Sequence, residues 1–431
     1  MAGLLTVRRR PAESFVLGNG LQVVVLSSSR APIVNQLVVY KVGSADETLG
    51  RTGIAHFLEH MMFKGTAAVG PNEFSRLVSR HGGRSNAYTS FDSTGYHQTI
   101  AADRLELIMR MEADRMTNLR ILEKEVTPER QVVLEERRTR VDNVPGALLG
   151  EAVREQLFGH GRPYGMPVIG YVDDIRRLGV NELMAFYRRH YSPNNAVLIV
   201  AGDATVESVR KLAEQFYGPI GARRVEPRRR PSTGGTGLPH RVVRADARVA
   251  EPRWMRDYLA PSLRVGESRY THALQVLAYL FGGSETSRLS RALVARDRIA
   301  LSAWASYSPF SLGITTFGLS IHPAPQAKVA QIEEAVRDQL SRLLDEGVAP
   351  DEVERAQNQL LAGAIYSQDS LSSGPRLYGT MLSTGGTIAD IDEWPQRIAA
   401  VGPADVLAAA RSVWRDDGSI TSLLTPAEGG R

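Results

Sequence analysis

The sequence predicts an α+β protein of two homologous domains, each a mostly antiparallel sheet flanked by helices. Three observations carry this. At roughly 100–200 residues per domain, 431 residues make two or three domains. With 43% hydrophobic and 23% charged residues the composition is that of an ordinary globular chain. The order of strands and helices also starts over after a stretch rich in proline and arginine, which predicts domains at 1–218 and 242–431 joined by a linker at 219–241.

The elements follow from local pattern. Val23 to Leu26 and Ile33 to Val42 are β-branched runs separated by polar residues and a proline, and read as strands. A helix spans about Thr52 to Phe63 and is closed by Gly65. A second, shorter one spans Asn72 to His81. Asn86 to Phe91 and Gly95 to Ile100 form two strands joined by Asp92-Ser93-Thr94. Between Asp103 and Leu119, apolar Leu105, Leu107, Ile108, Met111 and Met116 recur at helical spacing. Thr127-Pro128 then has the form of an N-cap and first-turn proline opening another helix. Ala196 to Gly202 is a fully apolar strand, and Thr205 to Tyr217 a helix. The linker, with Pro219, Pro227, Pro231, Pro239 and Arg228-Arg229-Arg230, is expected to be exposed. Beyond it come a helix near Glu267 to Phe281, strands at Ile299 to Tyr307 and Gly313 to His322, and a helix from about Ala327 to Leu344.

Composition also excludes. The absence of cysteine removes disulfides, thiolate nucleophiles and cysteine metal sites, so any metal must be held by His, Asp and Glu. No apolar run approaches the ~18 residues of a membrane span, so no membrane insertion is expected. A net charge of +5 is small for this length, and its short arginine runs lack a clustered basic face with readout residues, so nucleic acid is not an expected partner. Met1 to Arg10 places its charges after a very short apolar stretch, the reverse of a secretory signal. The expectation is a cytoplasmic protein, or a periplasmic one if a leader has been removed.

One cluster carries chemistry. His56-Phe57-Leu58-Glu59-His60 puts two imidazoles at i and i+4 on one helical face, a separation suited to one zinc ion. Glu59 precedes the second histidine, inverting the order in which a glutamate follows the first histidine and activates water. A third ligand is required, and the helix after Pro128 has candidates. Glu129, Val132, Val133 and Glu136 form one stripe, because seven residues turn through about 700°. If that stripe faces the histidine helix, Glu136 is the ligand and Glu129 orients a histidine or the water. If it does not, Glu135, Glu136, Arg137 and Arg138 are a solvated charged turn. Helical geometry alone leaves both open.

The surrounding residues resemble a known signature. Gly43-Ser44-Ala45-Asp46-Glu47 and Gly53 through Thr66 are similar to the pitrilysin/insulinase metallopeptidase family, which includes the mitochondrial processing peptidase. The likeness continues through Asn86-Ala87-Tyr88-Thr89, Glu129-Arg130, Val132 to Glu136, Pro163-Tyr164-Gly165 and Tyr191 to Asn195. It weakens after the linker, where Ser287-Arg288-Leu289 is the best echo. The resemblance implies one zinc ion per chain on His56, His60 and Glu136, with Glu59 as catalytic base and Glu129 as auxiliary catalytic glutamate. It implies that Asn86, Ala87, Tyr88 and Thr89 form an edge strand to which an extended peptide substrate adds.

Active relatives also bring an arginine and a tyrosine from a second domain to the substrate. Here Leu301 to Ile321 holds Tyr307 but no arginine, and Arg376 and Tyr378 lie in a segment that reads as a packing helix. The resemblance is therefore to the two-subunit bacterial branch. It implies a heterodimer with a homologous subunit lacking zinc ligands, or else a homodimer. The implied activity is hydrolysis of extended or unfolded peptides. The alternative is a non-catalytic core subunit, which would not require a complete ligand set together with Glu59.

Overall fold

The computed structural model of the protein describes residues 12–230 and 241–427. The Arg8 to Arg10 run and residues 231–240 of the expected linker lie outside them. The first sheet contains β1 (Glu13–Val16), β2 (Gln22–Ser27), β3 (Ile33–Tyr40), β4 (Arg84–Thr89), β5 (Thr94–Ala101) and β6 (Ala196–Gly202). Its order is β1-β2-β6-β3-β5-β4. Only β2 and β6 run parallel; the other pairs are antiparallel. β4 is therefore an edge strand.

The second sheet holds β7 (Arg241–Asp246), β8 (Arg253–Ala260), β9 (Ala300–Tyr307), β10 (Thr315–Pro323) and β11 (Ser419–Pro426), in the order β7-β11-β8-β10-β9. Again a single pair, β7 with β11, is parallel. Helices cover both sheets. Among the described residues no helix is long and apolar enough to cross a membrane.

The helices that frame the first sheet are α1 (Ile54–Met61), α2 (Glu73–Arg80), α3 (Leu105–Asn118), α4 (Glu123–Arg137) and α5 (Pro145–Phe158). Strands β3 and β6 are apolar on both faces because both faces are covered. Val34, Val38, Leu198 and Val200 join the core beneath α1 and α3. Leu37, Val39, Val197 and Ile199 point the other way and meet Tyr378, Met381 and Leu382 of the helix Ser373–Ser383, which comes from the far end of the chain. That helix lies very close to the sheet: a Cβ on Gly379 would sit 2.8 Å from Val39 Cγ2. The reverse exchange also occurs. Leu149, Val153, Leu157 and Phe158 of α5 pack on Ile420 and Leu424 of β11 in the second sheet.

Two expectations are corrected. Helix α4 starts at Glu123, five residues before Pro128, so Thr127 is not an N-cap. The Glu125 carboxylate accepts from the Leu122 N–H and buried Val126 anchors the first turns, so the helix runs on through Pro128 with one main-chain hydrogen bond missing. The second correction concerns the linker. Arg241, its last residue, already begins β7, and Arg230 is not solvated: its side chain is 3% exposed and pairs with Asp46 and Asp92, each at 2.8 Å. Arg228 donates to the carbonyls of Asp92 and Ser383. Asp92, at the tip of the β4–β5 hairpin, also accepts from the Tyr164 hydroxyl at 2.9 Å and the Leu312 N–H at 3.0 Å. One buried carboxylate thus ties the hairpin, the connecting segment and the second half together.

Candidate metal centre

Helix α1 is started by a side chain six residues upstream. Glu47 accepts from the N–H groups of Gly53 and Ala55 at 2.7 and 2.9 Å, placing a carboxylate at the positive end of the helix. Gly53 adopts φ +83°, and a Cβ there would lie 2.5 Å from the Ile169 carbonyl oxygen. Thr52 donates to Asp174 at 2.7 Å and fixes the entry to the helix. The apolar face of α1, Phe57, Leu58 and Met61, is buried. His56, Glu59 and His60 consequently face α4 and the edge strand.

The structure brings His56, His60 and Glu136 together as a group that could hold a metal ion. Glu136 Oε2 lies 3.6 Å from His56 Nε2 and 3.2 Å from His60 Nε2. Zinc bonds of about 2.0–2.1 Å in a tetrahedron set donor-to-donor edges of about 3.4 Å, so these two edges fit that ion. The donor set, two imidazoles and a carboxylate, suits zinc as well. Glu135 points elsewhere, to Arg138 at 2.7 Å on the exposed side. Of the two readings of this helix, the stripe of Glu129 and Glu136 is the one that faces the histidines.

Around these donors the second contacts are asymmetric. Glu129 Oε1 lies 2.8 Å from His60 Nδ1, and its other oxygen pairs with Lys64 Nζ. An Nδ1–H donated to Glu129 leaves His60 Nε2 as a lone-pair donor toward the ion. Glu136 is steadied by Arg140, 2.5 Å from Oε1. His56 Nδ1 is buried with no partner among the described residues. Charge follows contact. Burial lowers His60, but hydrogen bonds to Glu129 and Glu136 outweigh it and lift the imidazole to about 9. His56, desolvated and beside His60, falls to about 4. The site thus attracts one positive charge in the absence of metal, and places it between its carboxylates.

Glu59 stands beside the cluster. Burial raises its carboxyl above the ordinary range, while a 2.6 Å hydrogen bond from Thr89 Oγ1 works against that. Thr89 therefore reaches the expected base through its side chain. The other edge-strand residues divide. Ala87 faces α1. Tyr88 faces the opposite side, where its ring lies under the Arg376 guanidinium at 5.2 Å. Asn86 is exposed, and its Oδ1 accepts from the Ala87 N–H at 2.9 Å. All four line a cleft of about 1460 Å³ that also contains His56, Glu59, His60 and Glu136. Tyr307 does not line it: its hydroxyl donates to the Pro261 carbonyl at 2.6 Å.

Sequence reasoning quoted Glu47 and Lys64 in the family signature without a role for either, and missed Arg140 and the Thr89 to Glu59 bond. Lys64 and Arg140 each lie four residues beyond a site residue, a spacing that could have found them. Glu47 and Thr89 had no such local signal.

Comparison with known proteins gives the family and the fold. Residues 22–167 match the family model described as insulinase (peptidase family M16), and residues 177–360 match that of the peptidase M16 inactive domain. The chain is 30% identical over 421 residues to the zinc protease PqqE of Helicobacter pylori, covering 96% of this chain and 93% of that protein. Its fold is similar to the crystal structure of a protease from Helicobacter pylori, with a TM-score of 0.89, 28% identity, and 96% and 99% of the two chains covered. It is also similar in fold to the periplasmic protease PqqL of Escherichia coli, with a TM-score of 0.83 at 19% identity, covering 98% of this chain and 48% of that one.

Proposed function

The chain belongs to the insulinase (M16) peptidase family, and from that premise we propose that it is a zinc-dependent peptidase that hydrolyses peptide bonds in extended or unfolded chains. The observation that carries the reading is the convergence of His56, His60 and Glu136 beside Glu59, in a cleft bordered by an edge strand. His56 Nε2, His60 Nε2 and Glu136 Oε2 would hold the ion. When bound, zinc supplies Lewis acidity, bringing the pKa of a water toward about 7 and countering charge on the scissile carbonyl.

The chain's own residues do the rest. A substrate in extended form pairs with β4, its carbonyl replacing Asn86 Oδ1 on the Ala87 N–H. Main-chain pairing reads conformation more than side chains, so varied sequences fit. Thr89 holds Glu59 Oε2, leaving Oε1 to take a proton from the attacking water and pass it to the leaving amine. Burial raises the Glu59 carboxyl and so makes it a stronger base. Glu129 keeps His60 in the tautomer that presents Nε2.

The partner belongs to the same proposal: a homologous subunit without zinc ligands, or failing that a second copy. PqqL supports it, because this chain spans about half of that protein, which has room for a second such unit. The non-catalytic reading rests on the inactive-domain match of residues 177–360.

Metal content and cleavage of an unstructured fluorogenic peptide test the proposal. About one zinc per chain is expected, with chelator-sensitive cleavage that Glu59→Gln lowers by about 10²–10⁴-fold while zinc is retained. Zinc-loaded protein that cleaves nothing, alone or with a homologous subunit, would establish the non-catalytic reading instead.

A further inference from the structure

Arg154 on α5 stands where the cleft meets a second hollow. Its side chain lines both the cleft and an inner recess of about 270 Å³ between the two halves. The guanidinium lies 4.6 Å above the Phe91 ring, and Phe91 is two residues beyond Thr89, the partner of Glu59. Arg154 is thus anchored beside the end of the edge strand on which the substrate is expected to lie.

No carboxylate of the described residues reaches its guanidinium directly. Arginines of the interior hold carboxylates directly, whereas Arg154 is exposed to the cleft: Arg115 holds Glu112 at 2.6 Å, Arg137 holds Glu151 at 2.9 Å, and Arg230 holds Asp92 at 2.8 Å. Arg154 makes no hydrogen bond and no ion pair among the described residues. The acids nearest along the lining are already engaged, Glu151 by Arg137 and Asp92 by Arg230 and Tyr164. Asp257 on β8 acts on Arg154 only through space. What remains around the recess is neutral: the hydroxyls of Ser308, Thr315, Thr316 and Thr380 among them. Protein surrounds the guanidinium closely enough to lower its pKa by desolvation, yet its face toward the cleft is open. A planar fork of N–H donors left so is suited to a carboxylate from outside.

We propose that Arg154 is a specificity-determining residue that binds a carboxylate of the substrate, either an acidic side chain near the scissile bond or the free C-terminus of a short peptide. This rests on the peptidase reading of the cleft. A guanidinium and a carboxylate brought together there make two parallel hydrogen bonds out of bulk water, stronger than neutral ones.

The test measures binding, so that it does not depend on turnover. Fluorescent peptides identical except for one glutamate moved through the sequence, each with a glutamine counterpart and with a free or amidated C-terminus, are titrated into zinc-loaded Glu59→Gln protein. In one register the glutamate peptide is expected to bind about 10-fold tighter than its glutamine counterpart. If glutamate and glutamine peptides instead bind alike and amidation weakens both, the carboxylate is the C-terminus. Arg154→Ala should abolish the preference. Arg154→Glu should shift it to a further peptide carrying lysine in the preferred register, a gain that a misfolded protein cannot show. Binding that is indifferent both to glutamate against glutamine and to amidation, or a preference that survives Arg154→Ala, overturns the proposal. A preference that depends on Arg154 in a protein whose wild type cleaves nothing would keep the proposal and discard the peptidase reading. A protein that binds none of the peptides would discard both.

Discussion

Replacing Glu129 by glutamine keeps the shape of the side chain and removes its charge. Both oxygens are in use: one accepts from His60 at 2.8 Å and the other pairs with Lys64, in a pocket where the three side chains are 13%, 20% and 18% exposed. A hydrogen bond to a charged group in such a place contributes about 1.5–3 kcal/mol. Outer contacts of this kind typically change metal affinity 10–100-fold, or about 1.4–2.7 kcal/mol. The two ranges agree. Glu129→Gln also leaves Lys64 as an uncompensated cation close to the ion, which places the expected loss toward 100-fold, and adding Lys64→Met should recover part of it. The assay is competition for zinc against a chromophoric chelator at fixed pH. Glu135→Gln is the control, because Glu135 is 54% exposed and paired only with Arg138. A Glu129→Gln protein within about twofold of wild type, or a Glu135→Gln protein equally weakened, would refute the assignment of these contacts.

Three further outcomes can be measured. Arg230→Met leaves the buried carboxylates of Asp46 and Asp92 without their direct ion-pair partner and with only Arg228 nearby, so unfolding in urea should show a loss toward the lower end of about 3–5 kcal/mol; a loss under 1 kcal/mol contradicts the ion-pair account. Gly379→Val pushes a side chain into Val39 and Leu37, and should lower stability by about 1–3 kcal/mol, read as a lower melting temperature. His190 is lowered by burial to about 4 from 6.5. As pH falls through that window the unfolded chain takes up a proton that the folded protein refuses, so this contribution to stability is whole above about pH 6.5 and declines toward pH 4. In His190→Gln the urea midpoint should change less between pH 7 and pH 5, and an unchanged slope would show that other groups set it.

Much of this was legible along the chain, for particular reasons. Two histidines at i and i+4 share a helical face wherever that helix lies, and Glu129 and Glu136 share one seven residues apart. The two α+β halves follow from the repeated order of strands and helices. What could not be read depends on contacts remote in sequence. The apolar runs of β3 and β6 announce burial on both faces without saying that residues 373–383 cover one of them. Arg230 looked solvated because its partners Asp46 and Asp92 are 184 and 138 residues away. Thr127-Pro128 imitated a helix start, and the true one was set by Glu125 reaching back to Leu122. The hydrogen bond from Thr89 to Glu59 becomes visible only when β4 is placed along α1.

The exchange of helices also has a consequence for synthesis. The last strand of the first sheet, β6, is complete at Gly202, but the helix that covers its outer face ends at Ser383. At ~5–20 residues per second the ribosome needs roughly 10–35 s to make the intervening chain. During that time Val24, Leu37, Val39, Val197 and Ile199 form an apolar face that lacks its covering residues Tyr378, Met381 and Leu382. A chain halted in this interval carries a finished set of metal donors on a sheet that is still adhesive, which makes premature termination here a source of aggregates and of clients for chaperones.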